Sequence, residues 1–296
     1  MSTGIARECD PRTSLVTIDR TDFDPLDGET ILKLLGLLAE PEEELPKTAQ
    51  ENRAIEKTLA ILNDIRREIG LDPARLDPTH VHIQSECAFA RQWRGHGQAL
   101  MTYGHVYLPR LILLSYSLRY LTHELAHLAS FRAVIDPELG KDRATVFMQS
   151  GLSIMIDDGG WERPKRSFRD LNEGLTEVIA AKIRRRLIAE TDLVEPNLAA
   201  CLINDHPYPV QVRLVQGLIE LVGRRLGADA ARHLLFADYF GQTSWFFAEL
   251  ARIDSAVVER LKFTNTNLDA LAIAQDLGLR DAAADIERLC RIRGRR

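Results

Sequence analysis

The segment Ser115-Tyr-Ser-Leu-Arg-Tyr-Leu-Thr-His-Glu-Leu-Ala-His-Leu128 decides how the middle of this 296-residue chain folds. Four leucines recur in it at intervals of three and four residues: Leu118, Leu121, Leu125 and Leu128. No Pro or Gly occurs from Ser115 to Val134, so the spacing predicts an amphipathic helix with one buried face. Such a helix places His123 and His127 one turn apart on the same side, where both imidazoles can reach one metal ion.

These two histidines form a His-Glu-x-x-His motif, in which Glu124 follows the first histidine. In proteins that use this motif, the histidines bind zinc and the glutamate acts as a base on a metal-bound water. We therefore predict His123 and His127 as metal ligands and Glu124 as the general base. The structural alternatives are two ordinary helix histidines and an exposed helix carboxylate, since Glu is a good helix former.

A second motif, Leu171-Asn-Glu-Gly-Leu-Thr-Glu177, opens another helical pattern. We predict Glu173 as the third ligand, Asn172 as the cap of this helix, and Gly174 as the position that leaves room for the facing helix. Two histidines and one carboxylate leave a fourth tetrahedral position open, which is typical of catalytic zinc. Glu177, one turn after Glu173, is expected to accept a hydrogen bond from a ligand imidazole. The alternatives are a helix N-terminal charge for Glu173 and a solvated carboxylate for Glu177.

Apolar content, net charge and cysteine spacing exclude several classes of protein. With 45% apolar residues the chain can form one large domain or two lobes, and its net charge of −5 argues against a general nucleic-acid binder. The four cysteines lack CxxC spacing, so neither a disulfide framework nor a zinc knuckle is expected. No apolar segment has the length of a signal-peptide core or a membrane span. We expect a cytoplasmic protein with no nucleic-acid or membrane partner, although export without a leader leaves no trace in composition.

The expected fold class is α+β and predominantly helical, with a small mixed or antiparallel sheet and a C-terminal helical lobe. Residues 1–46 are expected to form an N-terminal extension and acidic linker. The lobe with the His-Glu-x-x-His helix is expected over 47–170, and the helical lobe with the third ligand over 171–296.

Local patterns predict most of the secondary structure. Thr48 and Glu51 form a capping-box pair that opens a long helix, which Gly70 ends. The sheet just before the motif helix is expected to offer an edge strand for an extended peptide. The predicted helices cover residues 29–38, 48–69, 174–189, 209–226, 228–237, 243–251 and 268–292; the predicted strands cover 80–84 and 99–108, with a hairpin within 144–157.

Together the two motifs resemble those of the gluzincin branch of zinc metallopeptidases, over residues 100–190. Asn-Glu-Gly is similar to the element of aminopeptidase N-like enzymes, and Asn-Glu-x-x-Thr-Glu to the Asn-Glu-x-x-Ser-Asp of thermolysin-like enzymes. The resemblance implies a zincin-like catalytic domain with the ligands, the base and the supporting acid already assigned above. The segment between the motifs is much longer than in either family. The Gly-x-Met-Glu-Asn segment, by which the aminopeptidases hold an amino terminus, does not occur, and this favours endopeptidase action.

The resemblance also implies a Tyr or His, on a later helix, that stabilises the oxyanion of the reaction. Tyr208 is the first candidate, followed by His206 and Tyr239, while Tyr120 is a candidate to line the cavity. A buried tyrosine that packs in the core is the structural alternative.

The expected function is that of a zinc-dependent metallohydrolase with one Zn²⁺ ion. A metallopeptidase that acts on a peptide or protein substrate is favoured. Two alternatives stay open, namely a zinc hydrolase of other amides or esters, and a zincin-like binding or regulatory protein with a structural metal.

Overall fold

The structure is a computed structural model that describes residues 43–74, 76–93, 105–110, 114–130, 132–135, 146–157, 165–204, 206–241, 243–264 and 266–293. Most of the N-terminal extension predicted for 1–46, including the helix at 29–38, lies outside these residues. Over the described residues the fold is α+β and predominantly helical, as predicted.

The first helix, α1 (Ala49–Glu68), has the predicted signals at both ends. The Thr48 hydroxyl accepts a hydrogen bond from the Glu51 N–H, and the Glu51 carboxylate accepts one from the Thr48 N–H. Gly70, with a φ of 80°, follows the end of the helix, where a left-handed residue stops it. The predicted apolar stripe is buried: Ile55, Leu59, Leu62 and Ile65.

Two small sheets lie on either side of the motif helix in the sequence. The first pairs β1 (Val81–Gln84) with β2 (Val106–Pro109) in parallel, and α2 (Glu86–Trp93) lies in the connection between them. A parallel pair requires such a crossover, because a tight hairpin can join only antiparallel strands. The strand predicted at 80–84 is confirmed, whereas residues 99–104 of the other predicted strand lie outside the described ranges.

The second sheet has four antiparallel strands in chain order: β3 (Arg132–Ile135), β4 (Val146–Ser150), β5 (Ser153–Asp157) and β6 (Lys165–Ser167). The hairpin predicted within 144–157 is β4–β5, in which Ser150 pairs with Ser153 across a two-residue turn. Gly151 has a φ of 57°, and a Cβ there would lie 2.6 Å from both the Asn172 side chain and the Tyr239 ring. Only glycine fits this turn.

Two helices carry the motifs and pack against each other: α3 (Leu114–Ala129) and α4 (Arg169–Glu190). The prediction that Asn172 caps the second of these is wrong, because α4 already begins at Arg169. Asn172 is buried inside the helix, and its side-chain oxygen accepts a hydrogen bond of 2.9 Å from the N–H of Leu152. The motif asparagine therefore attaches the β4–β5 turn to α4.

The C-terminal part is helical, as predicted, and contains α5 (Pro196–Asn204), α6 (Pro209–Leu226), α7 (Ala228–Gly241), α8 (Trp245–Ile253), α9 (Val257–Lys262), α10 (Asn267–Asp276) and α11 (Arg280–Arg293). The single helix predicted over 268–292 is wrong, because Gly278 has a φ of 65° and separates α10 from α11. Helices α5 and α9 were not predicted.

One hydrophobic cluster extends from α1 to α11, so both predicted lobes contribute to it, and their boundary stays a prediction. None of the helices described here has the length and apolarity that crossing a bilayer requires.

Asp238 on α7 is buried and caps the start of α8. Its carboxylate accepts hydrogen bonds from the Thr243 hydroxyl at 2.5 Å, the Trp245 N–H at 2.9 Å and the Phe246 N–H at 3.1 Å. Asp238→Ala should lower the free energy of unfolding by about 2–4 kcal/mol, because the cap is lost and buried donors are left unpaired. Urea unfolding followed by circular dichroism measures this loss.

Asp254→Ala is the matched control, because the half-buried Asp254 carboxylate accepts from one backbone N–H, that of Ala256 at 2.9 Å. The control should cost about 1 kcal/mol or less. Equal losses in the two variants would contradict the capping role of Asp238.

Candidate metal centre

His123 and His127 on α3 converge with Glu173 on α4. The two Nε2 atoms lie 3.2 Å apart, and Oε2 of Glu173 lies 3.3 Å from Nε2 of His123 and 3.4 Å from Nε2 of His127. Nitrogen and oxygen ligands at the usual bond length from a tetrahedral zinc are about 3.3 Å apart. The three separations therefore match three edges of a zinc tetrahedron, and the donor set fits the ion. No other cluster of three or more His, Cys, Asp or Glu with metal-binding spacing occurs in the described part of the chain.

The imidazole of His123 is oriented by Glu177. Oε2 of Glu177 lies 3.0 Å from Nδ1 of His123, which is the contact expected from the sequence. The solvated alternative does not hold, since the Glu177 side chain has no exposed surface. When Nδ1 donates to this carboxylate, the lone pair of Nε2 is directed at the metal position.

The imidazole of His127 is oriented by a hydroxyl instead. Oγ1 of Thr176 lies 3.2 Å from Nδ1 of His127, 2.8 Å from the carbonyl oxygen of Asn172 and 2.7 Å from the Tyr239 hydroxyl. All these groups are satisfied when Thr176 donates to the carbonyl and accepts from both Tyr239 and the Nδ1–H of His127. Nε2 of His127 then also presents its lone pair to the metal position.

The three predicted oxyanion donors occupy different places. The Tyr208 ring, just before α6, stacks on the His123 ring with 5.6 Å between centroids. Tyr239 is fully buried and bonded to Thr176, on the Nδ1 side of His127, so its hydroxyl does not face the open coordination position. Nδ1 of His206 lies 3.0 Å from Oε1 of Glu177. Of the three, Tyr208 is the candidate that borders the donor atoms.

Charge and burial keep the Tyr208 hydroxyl protonated. Burial raises the pKa of Tyr208 above its usual range, and the negative charges of Glu173 and Glu124 raise it further. Glu124 also raises the pKa of His123, so its carboxylate lies near both groups, and it is itself buried. Tyr208 is therefore a hydrogen-bond donor at neutral pH, as an oxyanion-stabilising group must be.

Tyr120 on α3 is the candidate to line the cavity. It contributes to a small apolar crevice between α1 and β2, together with Ile55 and Leu108. That Tyr120 also lines the cavity at the metal centre stays a prediction.

Gly174 is required by the packing of α4 on the first turn of α6. A Cβ at Gly174 would lie 2.6 Å from the carbonyl oxygen of Gln211. The facing helix is α6, and this close approach brings Tyr208, which precedes α6, to the side of His123. The glycine of the Asn-Glu-Gly element thus allows a tyrosine from a distant part of the sequence to reach the site.

Two residues that support the histidines, Thr176 and Arg184, were not predicted from the sequence. Thr176 lies inside the second motif, one turn after Asn172, and Arg184 lies two turns after Glu177 on the same helix face. Both spacings are visible in the sequence. An arginine is almost never fully buried unless it is paired, so the sequence pattern alone did not indicate that Arg184 is buried beside Glu177.

No protein-family model, curated protein or solved structure matches this chain. The interpretation of the site therefore depends on the motifs and on the geometry of the residues themselves.

Zinc binding should release about one proton at pH 7. Burial lowers the pKa of His123 in the metal-free protein, but its hydrogen bonds to Glu173 and Glu177 outweigh this effect and raise the pKa to about 10. The metal-free ring is therefore protonated at pH 7, and ligation must displace the proton from Nε2. Because each Zn²⁺ displaces one proton, and the concentration of competing protons falls as pH rises, the apparent affinity for Zn²⁺ should increase about tenfold per pH unit between pH 6 and 9.

Isothermal titration with Zn²⁺, in two buffers of different ionisation enthalpy at one pH, counts the released protons. An affinity that stays constant from pH 6 to pH 9 would contradict the proton displacement.

Gly174→Ala should lower the free energy of unfolding by about 1–3 kcal/mol, because its Cβ overlaps the backbone of Gln211 and α6 must move. Gly241→Ala is the control, since its Cβ would meet only the flexible Leu71 side chain, at 3.1 Å. Urea unfolding of both variants makes the comparison. Similar losses in the two would show that Gly174 is not required by this packing.

Proposed function

We propose that the protein is a zinc-dependent metallohydrolase, with hydrolysis of peptide bonds as the favoured reaction. The observation that carries the proposal is the spacing of His123, His127 and Glu173, whose donor atoms lie 3.2 to 3.4 Å apart. Three protein ligands leave one tetrahedral position for water or substrate, whereas structural zinc sites are closed by four. The side chain of Glu173 is 21% exposed, so the open position can be reached from this side of the cluster.

The residues around the ligands have the chemistry that hydrolysis needs. A Zn²⁺ ion held by His123, His127 and Glu173 would supply Lewis acidity, which makes water a nucleophile near neutral pH and polarises a carbonyl group. Glu124 accepts a proton from the attacking water and delivers it to the leaving nitrogen. Tyr208 donates a hydrogen bond to the carbonyl oxygen as negative charge develops on it. Glu177 and Thr176 hold the two imidazoles in place and do not contact the substrate.

An endopeptidase is favoured over an aminopeptidase. The sequence lacks the Gly-x-Met-Glu-Asn segment by which the similar aminopeptidases hold a substrate's amino terminus. A peptide or protein substrate would then be cleaved at an internal bond.

Glu124→Gln should bind zinc in a 1:1 ratio and lose about 10²–10⁴-fold in rate, because the amide cannot accept a proton. Metal analysis and digestion of a peptide library measure the two quantities, with a panel of small amides and esters digested in parallel. Glu220→Gln on α6 is the control, since this carboxylate is exposed and remote from the motifs in sequence, and it should behave as the wild type. His123→Ala should lose the metal.

The results of these assays distinguish a peptidase from another zinc hydrolase and from a protein with a structural metal. Unchanged turnover in Glu124→Gln would refute its role as the base. Hydrolysis of small amides or esters without cleavage of peptides would replace the peptidase by another zinc hydrolase. Wild-type protein that holds zinc and cleaves none of these compounds would instead favour a structural metal.

A further inference from the structure

Arg184 is an arginine with no exposed surface, and the reaction described above does not use it. It lies on α4, eleven residues after Glu173 and seven after Glu177. Both spacings are close to whole numbers of helical turns, so the three residues lie on one face of the helix. Along this face lie, in order, Glu173, which contacts both histidines, Glu177, which contacts Nδ1 of His123, and Arg184.

The guanidinium group of Arg184 joins the two motif helices. Nη2 donates to Oε1 of Glu177, and Nη1 donates to the hydroxyl of Thr122 at 3.2 Å. Thr122 donates its own hydrogen to the carbonyl oxygen of Leu118 at 2.8 Å, so its oxygen is an acceptor for Arg184. Because Thr122 directly precedes His123 on α3, Arg184 bonds both to the partner of His123 and to the backbone neighbour of His123.

Glu177 is held by three donors. Nδ1 of His123 contacts Oε2, whereas Arg184 and Nδ1 of His206 contact Oε1. Three contacts on two oxygens fix both the position and the plane of the carboxylate. Without Arg184, Oε1 would keep only the half-buried His206, and Glu177 would be free to turn away from His123.

The charges explain why a cation is needed at this place. Three carboxylates lie around the two histidines: Glu124, Glu173 and Glu177. A divalent ion at the site would balance two of these negative charges, and Arg184 balances the third. Nε of Arg184 has no acceptor among the residues that the structure describes. A buried cation with an unpaired N–H is costly, and apolar residues often replace buried ion pairs without loss of stability. Stability alone therefore does not account for Arg184.

We propose that Arg184 is a positioning residue of the metal centre, which holds Glu177 in the orientation that directs Nε2 of His123 at the ion. The proposal rests on the metal centre of the proposed function, and it is independent of which bond the protein hydrolyses.

The primary measurement is the Kd for Zn²⁺, determined by competition with a chromogenic chelator at fixed pH. R184M should bind about 10–100-fold more weakly than the wild type, which is the usual effect of removing a group that supports a metal ligand. R186M is the control, because Arg186 lies on the same helix and pairs with Asp64 and Glu190 near the surface. It should bind Zn²⁺ as the wild type does. R184K keeps the charge but cannot contact Glu177 and Thr122 with two separate nitrogens. Its affinity for Zn²⁺ should therefore fall about three- to tenfold.

A double-mutant cycle tests whether Arg184 acts through Glu177. E177Q should weaken Zn²⁺ binding to a similar extent, and E177Q/R184M should bind no more weakly than E177Q alone. The visible absorption of Co²⁺ substituted for zinc reports ligand geometry, so it should change in R184M and stay unchanged in R186M. A role in packing alone would produce neither the non-additivity nor the spectral change.

Wild-type affinity in R184M, or losses that add in the double variant, would overturn the proposal. If circular dichroism shows that R184M does not fold, R184K decides: weaker binding supports the proposal, and wild-type binding overturns it. Wild-type protein that binds no Zn²⁺ would remove both this inference and the proposed function. Zinc binding that R184M weakens, in a protein that hydrolyses nothing, would leave Arg184 in its role and remove the hydrolase.

Discussion

The hydrogen bond between Nδ1 of His123 and the buried carboxylate of Glu177 is the contact on which the arrangement of the site depends. It joins α3 to α4, fixes the tautomer of one predicted ligand, and places the face of α4 that carries Glu173 opposite the histidines. The surrounding residues preserve this contact. Arg184 and His206 hold the other oxygen of Glu177, and Gly174 lets α6 approach closely enough for Tyr208 to cover the ring of His123.

Features that depend on neighbouring residues could be predicted from the sequence. The capping box of Thr48 and Glu51, the stop at Gly70 and the β4–β5 hairpin are set by residues within a few positions of one another. The start of α4 could not be predicted, because Phe168 precedes it in a left-handed conformation and makes no side-chain cap. The break at Gly278 was missed because a glycine within a helical pattern is often tolerated, and the residues on both sides continue that pattern.

The residues of the candidate site also differ in whether the sequence could predict them. The geometry of one helix determines how His123 and His127 are spaced, and that of another determines how Glu173 and Glu177 are spaced, so the motifs indicated all four. Helix geometry could not decide among Tyr208, His206 and Tyr239, since their distances from the histidines depend on how α6 and α7 pack. Thr176 and Arg184 were missed because a hydroxyl or a cation on a helix is normally interpreted as a surface group.

The second sheet lies entirely between the two motifs, since β3 to β6 occupy residues 132 to 167. An ion held by both α3 and α4 would therefore close a chain loop that contains the sheet, with 50 residues separating His123 from Glu173. Because the three donor groups converge only in the folded chain, such an ion would stabilise the folded state to an extent set by its affinity and concentration. Removing such an ion would therefore loosen the ends of the inserted sheet as well as the contact between the two motif helices.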